Sequence, residues 1–177
     1  SPPPARELAD VVEARGASWG EDGTILYSPE NFGGLMRVPA TGGTPAQATK
    51  LDPASGEISH RWPFFLPGGR RFLYATRRVD PKAPLQVSYT VEAASLDGDK
   101  RSQVLAAGSN PIFVPPNHLL YRRSKDLMAA TFDPASFAVK GEPVQLVKDF
   151  QAFGANGHAV ASASVLLPNE PSTTMYV

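Results

Sequence analysis

Five residues near the start of the chain, Gly16-Ala17-Ser18-Trp19-Gly20, have the G-x-S-x-G spacing that presents a nucleophilic serine in hydrolases. That chemistry needs a strand before the serine and a helix after it, so that a strained turn exposes the hydroxyl beside an oxyanion hole. Here Glu21-Asp22-Gly23 follow as a turn and Thr24 to Ser28 as a second apolar run, so Ser18 reads as an ordinary strand residue. The three histidines, His60, His118 and His158, never reach the i,i+4 or short-loop spacing of a zinc site. His118 falls in a turn, while His60 and His158 fall near the starts of apolar runs, where convergence on a metal competes with plain polar lining. Asp97-Gly98-Asp99-Lys100 holds two carboxylates but too few ligands for a calcium loop, and turn chemistry explains it. The expectation is therefore no catalytic residue, no metal and no cofactor.

Composition narrows the partners. Lys+Arg 17 balance Asp+Glu 17, which argues against a general binder of nucleic acid or of anionic membrane. There is no cysteine, so disulfides and thiolate metal sites are excluded. No apolar run approaches the roughly 20 residues that cross a bilayer, so no direct membrane insertion is expected. The opening Ser1-Pro2-Pro3-Pro4 reads as a linker or a cut.

The elements that would position any site come from a repeat. Ile25-Leu26-Tyr27, Phe72-Leu73-Tyr74, Leu119-Leu120-Tyr121 and Val165-Leu166-Leu167 each follow a turn-forming pair: Asp22-Gly23, Gly68-Gly69, Pro116-Asn117 and Ala163-Ser164. The three tyrosines, Tyr27, Tyr74 and Tyr121, are spaced at intervals of 47. A period in the forties with several strands in each points to β-propeller blades. The expected fold is all-β, a partial propeller with about three complete four-stranded antiparallel blades and part of a fourth. The blades fall at about 17–49, 62–105, 112–147 and 158–177, and Phe132 through Pro143 forms an extra, long hairpin. Residues 1–16 are a linker or the outer strand of a preceding blade, the strand being favoured for 5–15. Trp19, Trp62 and Phe113 recur near inner-strand positions, where rings fill the wedge between twisted sheets or stack on a ligand.

Gly16 to Tyr27, Leu35 to Pro45, Ser59 to Tyr74 and Phe132 to Val144, taken in that order, resemble the TolB-like, WD-repeat-like propeller domains of bacteria. Many of these lie C-terminal to transmembrane serine/threonine protein kinases. The resemblance covers roughly residues 16 to 167. It implies a larger propeller outside the cytoplasm, acting as a sensor or interaction module for a protein, small peptide or sugar ligand. The chain carries no kinase motif of its own. In place of the family's Pro-Asp-Gly turn it has Pro67-Gly68-Gly69, and Asn156 to Leu167 follows the last-blade pattern only loosely.

In an up-and-down sheet the tight turns share one end, and the longer connections Lys50 to Arg61 and Arg77 to Gln86 share the other with Glu30-Asn31. Loops on a rigid scaffold carry function. The expected binding face gathers His60, Arg61, Arg77, Arg78, Asn110, Arg122 and Arg123, locally basic on a neutral chain; against this stands the reading in which these arginines are scattered and solvated. The alternative function is the propeller part of a hydrolase. A glycosidase would need two carboxylates facing across the channel, and the inner strands as read here contain none.

Overall fold

Reversals at glycine, aspartate and asparagine cut the chain into short strands, and these assemble into three four-stranded antiparallel sheets. The computed structural model describes residues 7–150. The first sheet holds β1 (Ala17–Trp19), β2 (Thr24–Tyr27), β3 (Met36–Pro39) and β4 (Ala46–Gln47). The second holds β5 (Glu57–Phe65), β6 (Arg71–Asp80), β7 (Ala83–Ser95) and β8 (Gly98–Leu105). The third holds β9 (Ser109–Val114), β10 (His118–Arg123), β11 (Asp126–Asp133) and β12 (Ala138–Val147). Each sheet keeps its strands in chain order, as propeller blades do. The described residues contain no α-helix, only a 3-10 turn at Pro53–Ser55.

Period-2 alternation divides the middle sheet between its two neighbours. Phe72, Tyr74 and Ala94 face the first sheet and pack on Leu26 and Leu35. Leu66, Leu73 and Ala93 face the third and pack on Phe113, Leu119, Tyr121, Met128 and Phe132. Burying each large side chain contributes about 1.5–3 kcal/mol, so these two seams hold the array together. At the tight-turn end, Asp22 Oδ1 accepts the Thr24 amide at 2.9 Å, and Arg70 bridges Asp22 and Asp97 across two blades. Asp97 is thus a partner in a turn.

The inner strands share one more feature. Arg61 pairs with Ala75 and Ser109 with Arg122, and the residues that follow, Trp62 and Asn110, take φ of 48° and 52°. Both precede a proline, Pro63 and Pro111. Gly16, with φ 100°, holds the equivalent place before β1, its carbonyl accepting the Ser28 amide at 3.0 Å. A left-handed residue therefore sits before or within each inner strand, although only the first blade uses the glycine that adopts it without steric cost.

Several sequence expectations are corrected. The second and third blades begin at Glu57 and Ser109, not Trp62 and Ile112, because the left-handed residue and the proline behind it hide the strand's true start. Arg77 to Gln86 is not a long loop but the extended end of the β6–β7 hairpin, reversing at Pro81-Lys82. Phe132 through Pro143 is not an extra hairpin; it runs from β11 into β12. Residues 7–16 carry no strand, since they meet a connection and not a sheet edge: the Val12 and Glu13 amides bond Pro29 O and the Arg15 amide bonds Ser28 O. Trp19 is equivalent to Phe65 and Phe113, so Trp62 belongs to a different layer. The fourth repeat at 158–177, with His158, lies outside the described residues.

Candidate binding site at the inner edge

Ser18, the candidate nucleophile, is a strand residue of β1. Its Oγ accepts the Phe65 amide at 3.0 Å, stitching β1 to β5, and the chain after it turns into β2 without a helix. No nucleophile elbow exists here.

The left-handed residue within β5, Trp62, sets a polar cluster at the opposite end from the tight turns. The Trp62 amide donates to Arg15 O at 2.7 Å, and a Cβ on Gly16 would stand 3.1 Å from the Trp62 Cα, so the two inner strands meet closely here. Arg15 and Arg61 then converge on one residue of the β2–β3 connection. Arg15 Nε donates to Asn31 Oδ1 at 2.7 Å, and Arg61 Nη2 donates to Asn31 O at 2.8 Å and to its Oδ1 at 3.3 Å. Arg61 Nε donates to Ser59 Oγ at 2.9 Å, while Arg15 pairs with Glu13. Burial and the neighbouring Arg77 and Arg15 lower the pKa of Arg61.

Cross-strand register adds the remaining members. Arg77 stands opposite Ser59 on one side and Tyr89 on the other. The Tyr89 ring lies 5.6 Å from the Trp62 ring at 44°, and the Arg61 guanidinium sits 5.9 Å from the Trp62 centroid. Three buried side-chain polar atoms among the described residues lack a hydrogen-bond partner, and two of them, Trp62 Nε1 and Arg77 Nε, flank Tyr89.

A second polar cluster lies between the first and second sheets. Glu57 accepts Arg78 Nη2 at 2.8 Å, Arg101 Nη1 at 2.9 Å and the Asp52 amide at 2.8 Å. Although burial opposes its ionisation, Arg101 and the Asp52 amide hold Glu57 at about 2. His60 is fully buried against Tyr74, their rings 4.8 Å apart, and burial takes it down to about 4 despite the Glu57 carboxylate. Thr49 Oγ1 accepts the Leu35 amide at 2.8 Å and lies 2.7 Å from His60 Nδ1. His60 Nε2 stands 3.3 Å from Glu57 Oε2, which suits a neutral ring protonated at Nε2. Arg78 also reaches Glu92 at 3.2 Å.

Of the seven residues proposed for one binding face, only Arg61 and Arg77 therefore meet in the inner-edge cluster. His60 and Arg78 belong to the buried network on the other side of the middle sheet. Asn110 repeats the backbone position of Trp62 in the third blade, Arg122 donates to Ser124 O at 2.8 Å and Arg123 is exposed. The grouping failed because neighbours in a strand point to opposite faces: Arg77 and Arg78 are adjacent in sequence and separated by a sheet. Arg15 and Tyr89 were missed as site members, and Trp62 was considered only as a stacking ring and not placed with the arginines. The 46-residue offset that relates Arg15-Gly16 to Arg61-Trp62 was the available signal. The inner strands do contain an acid, Glu57, contrary to expectation; it is 3% exposed and held by two arginines.

No family model matches the sequence, and no curated protein matches it. Solved structures do share the fold. A nidogen/laminin complex aligns with 77% of this chain and 48% of that one, at 15% identity and TM-score 0.56. An α-L-arabinofuranosidase from Lactobacillus brevis aligns with 78% and 55%, at 12% identity and TM-score 0.53. A puromycin-hydrolyzing peptidase from Mycobacterium tuberculosis aligns with 69% and 22%, at 14% identity and TM-score 0.52. The matched regions are propeller-type domains, so the chain is a partial propeller spanning about half or less of those proteins. No helix among the described residues is long and apolar enough to cross a membrane.

Proposed function

We propose that this chain is part of a β-propeller that recognises a ligand or partner at its inner edge and does not itself catalyse a reaction. The carrying observation is the convergence of Arg61, Trp62, Arg77 and Tyr89, on three strands of the middle sheet, with Arg15 and Asn31 from the segments flanking β1 and β2, at the end where the longer connections lie. Rigid strands supply positioning, and donors with two aromatic rings supply recognition. On the resemblance to propellers carried behind bacterial transmembrane kinases, the module is an extracytoplasmic sensor of a protein, peptide or sugar.

The hydrolase alternative has less support. A glycosidase requires paired carboxylates about 5 to 9.5 Å apart, whereas the only acid in the described inner strands is Glu57, already neutralised by Arg78 and Arg101. Thermal-shift screening of short peptides and simple sugars tests the binding reading. A ligand should raise the Tm of the native chain and lose that effect in Arg61→Ala and Tyr89→Ala. Ligands that stabilise both variants as well as the native chain would place recognition elsewhere.

A further inference from the structure

We infer that the inner-edge cluster takes an oxyanion, a carboxylate or phosphate group, carried on a ring that lies against Trp62 and Tyr89. This rests on reading that cluster as a binding site and names the chemistry it selects. Two observations carry it. The first is the kind of atom left unpaired. Trp62 Nε1 and Arg77 Nε are buried without partners, and both are donors that cannot accept a hydrogen bond. Only an acceptor satisfies them, and buried donors are rarely left without a protein, water or ligand partner.

The second is charge. Arg61 is 6% exposed, yet its hydrogen bonds go to Ser59 Oγ and to Asn31 O and Oδ1, all neutral groups. The nearby carboxylate, Glu13, pairs with Arg15. A buried guanidinium without a counter-ion is costly, and an anion brought beside it recovers that cost. In the other cluster the partly buried Arg78 and Arg101 end on carboxylates and a hydroxyl, so the omission at Arg61 is local. Arg61 is also held ready by Ser59 and Asn31, which limits the ordering entropy lost on binding.

The rings explain the rest of the ligand. Trp62 and Tyr89 are tilted by 44° at 5.6 Å, forming a wedge rather than a closed stack, and Arg77 lies beside Tyr89 in the register. A sugar or aromatic ring against that wedge would carry its acidic group to Arg77 Nε and Trp62 Nε1. Trp62 adopts its left-handed backbone without being glycine, the kind of strain that persists where surrounding structure and function require it.

Isothermal titration of the 177-residue chain at fixed ionic strength, with glucuronate, glucose 6-phosphate, glucose and inorganic phosphate as probes, tests this. Glucuronate or glucose 6-phosphate should bind at least about tenfold more tightly than glucose, a difference of about 1.4 kcal/mol. Inorganic phosphate should bind more weakly than the ring-borne anion, and the two ring-borne probes separate a carboxylate from a phosphate site. Arg77→Met, and Trp62→Phe, which keeps a ring and loses the N–H, should each weaken binding about tenfold, with circular dichroism unchanged. Arg123→Met should bind as the native chain does, excluding a general charge effect. Anionic probes that bind no better than glucose, or an Arg77→Met chain that binds them undiminished, would overturn the oxyanion assignment. If a neutral ligand binds and is lost in Tyr89→Ala, the binding site stands and the oxyanion assignment falls. If neither these probes nor the wider screen gives binding, both fall.

Discussion

Two polar clusters flank the upper end of the middle sheet, and they are built on opposite rules. Around Glu57, two guanidiniums, a histidine and a backbone amide close on one carboxylate. Around Arg61, one guanidinium takes Glu13, Arg61 itself meets only an amide side chain, a backbone carbonyl and a hydroxyl, and two donors find nothing. A network whose charges are balanced within the fold contributes stability and a fixed register. One left short of acceptors is held in shape by its surroundings and completed from outside. Both use arginines of the middle sheet, so residue type alone does not distinguish structure from recognition.

The sharpest break of this contrast is Glu57→Gln. It leaves the half-buried Arg78 and Arg101 without their carboxylate, and urea unfolding should show a loss of about 1.5–3 kcal/mol. A loss below about 1 kcal/mol would mean that the Glu57 cluster is no more structural than the other.

Acid titration comes next. A folded pKa of about 4 for His60, below its ordinary 6.5, means that the unfolded chain binds the proton first. Stability from this group is therefore complete above 6.5 and lost as pH falls toward 4, by roughly 3 kcal/mol. Glu57, held at about 2 against 4.5, extends the loss as pH falls from 4.5 to 2. Thermal unfolding across this range should decline monotonically with acid, and His60→Gln should flatten the upper part of the curve.

Smaller effects separate the remaining roles. Ser18→Ala removes the acceptor of the Phe65 amide and should cost about 1 kcal/mol in chemical unfolding. The same substitution should leave ligand binding at the inner edge unchanged, since Ser18 belongs to the seam and not the site. Arg77→Met should be the mildest, within about 0.5 kcal/mol of the native chain or more stable, because it removes an orphaned donor. A destabilisation like that of Glu57→Gln would erase the distinction between the clusters.

The repeat was readable because its turns and tyrosines recur at fixed places, and each tyrosine is buried at the same point of its blade: Tyr27 7%, Tyr74 0% and Tyr121 1% exposed. Strand starts were less readable, because Trp62-Pro63 and Asn110-Pro111 look like breaks while the backbone passes through them as left-handed bulges. Arg61 and Arg77 were recognised as neighbours of interest, yet their separation from His60 and Arg78 was not.

The sequence alone therefore determined the local alphabet of this protein: where the chain reverses, which residues alternate inward, and that the blades are alike. Those properties depend on φ preferences and on a two-residue period, both of which act over a few positions. Tertiary structure decided which charges are cancelled. Glu57 meets Arg101, and Arg61 meets Asn31, only after sheets dock and bulges set the register, and the balance of a buried charge depends on partners that sequence distance does not encode.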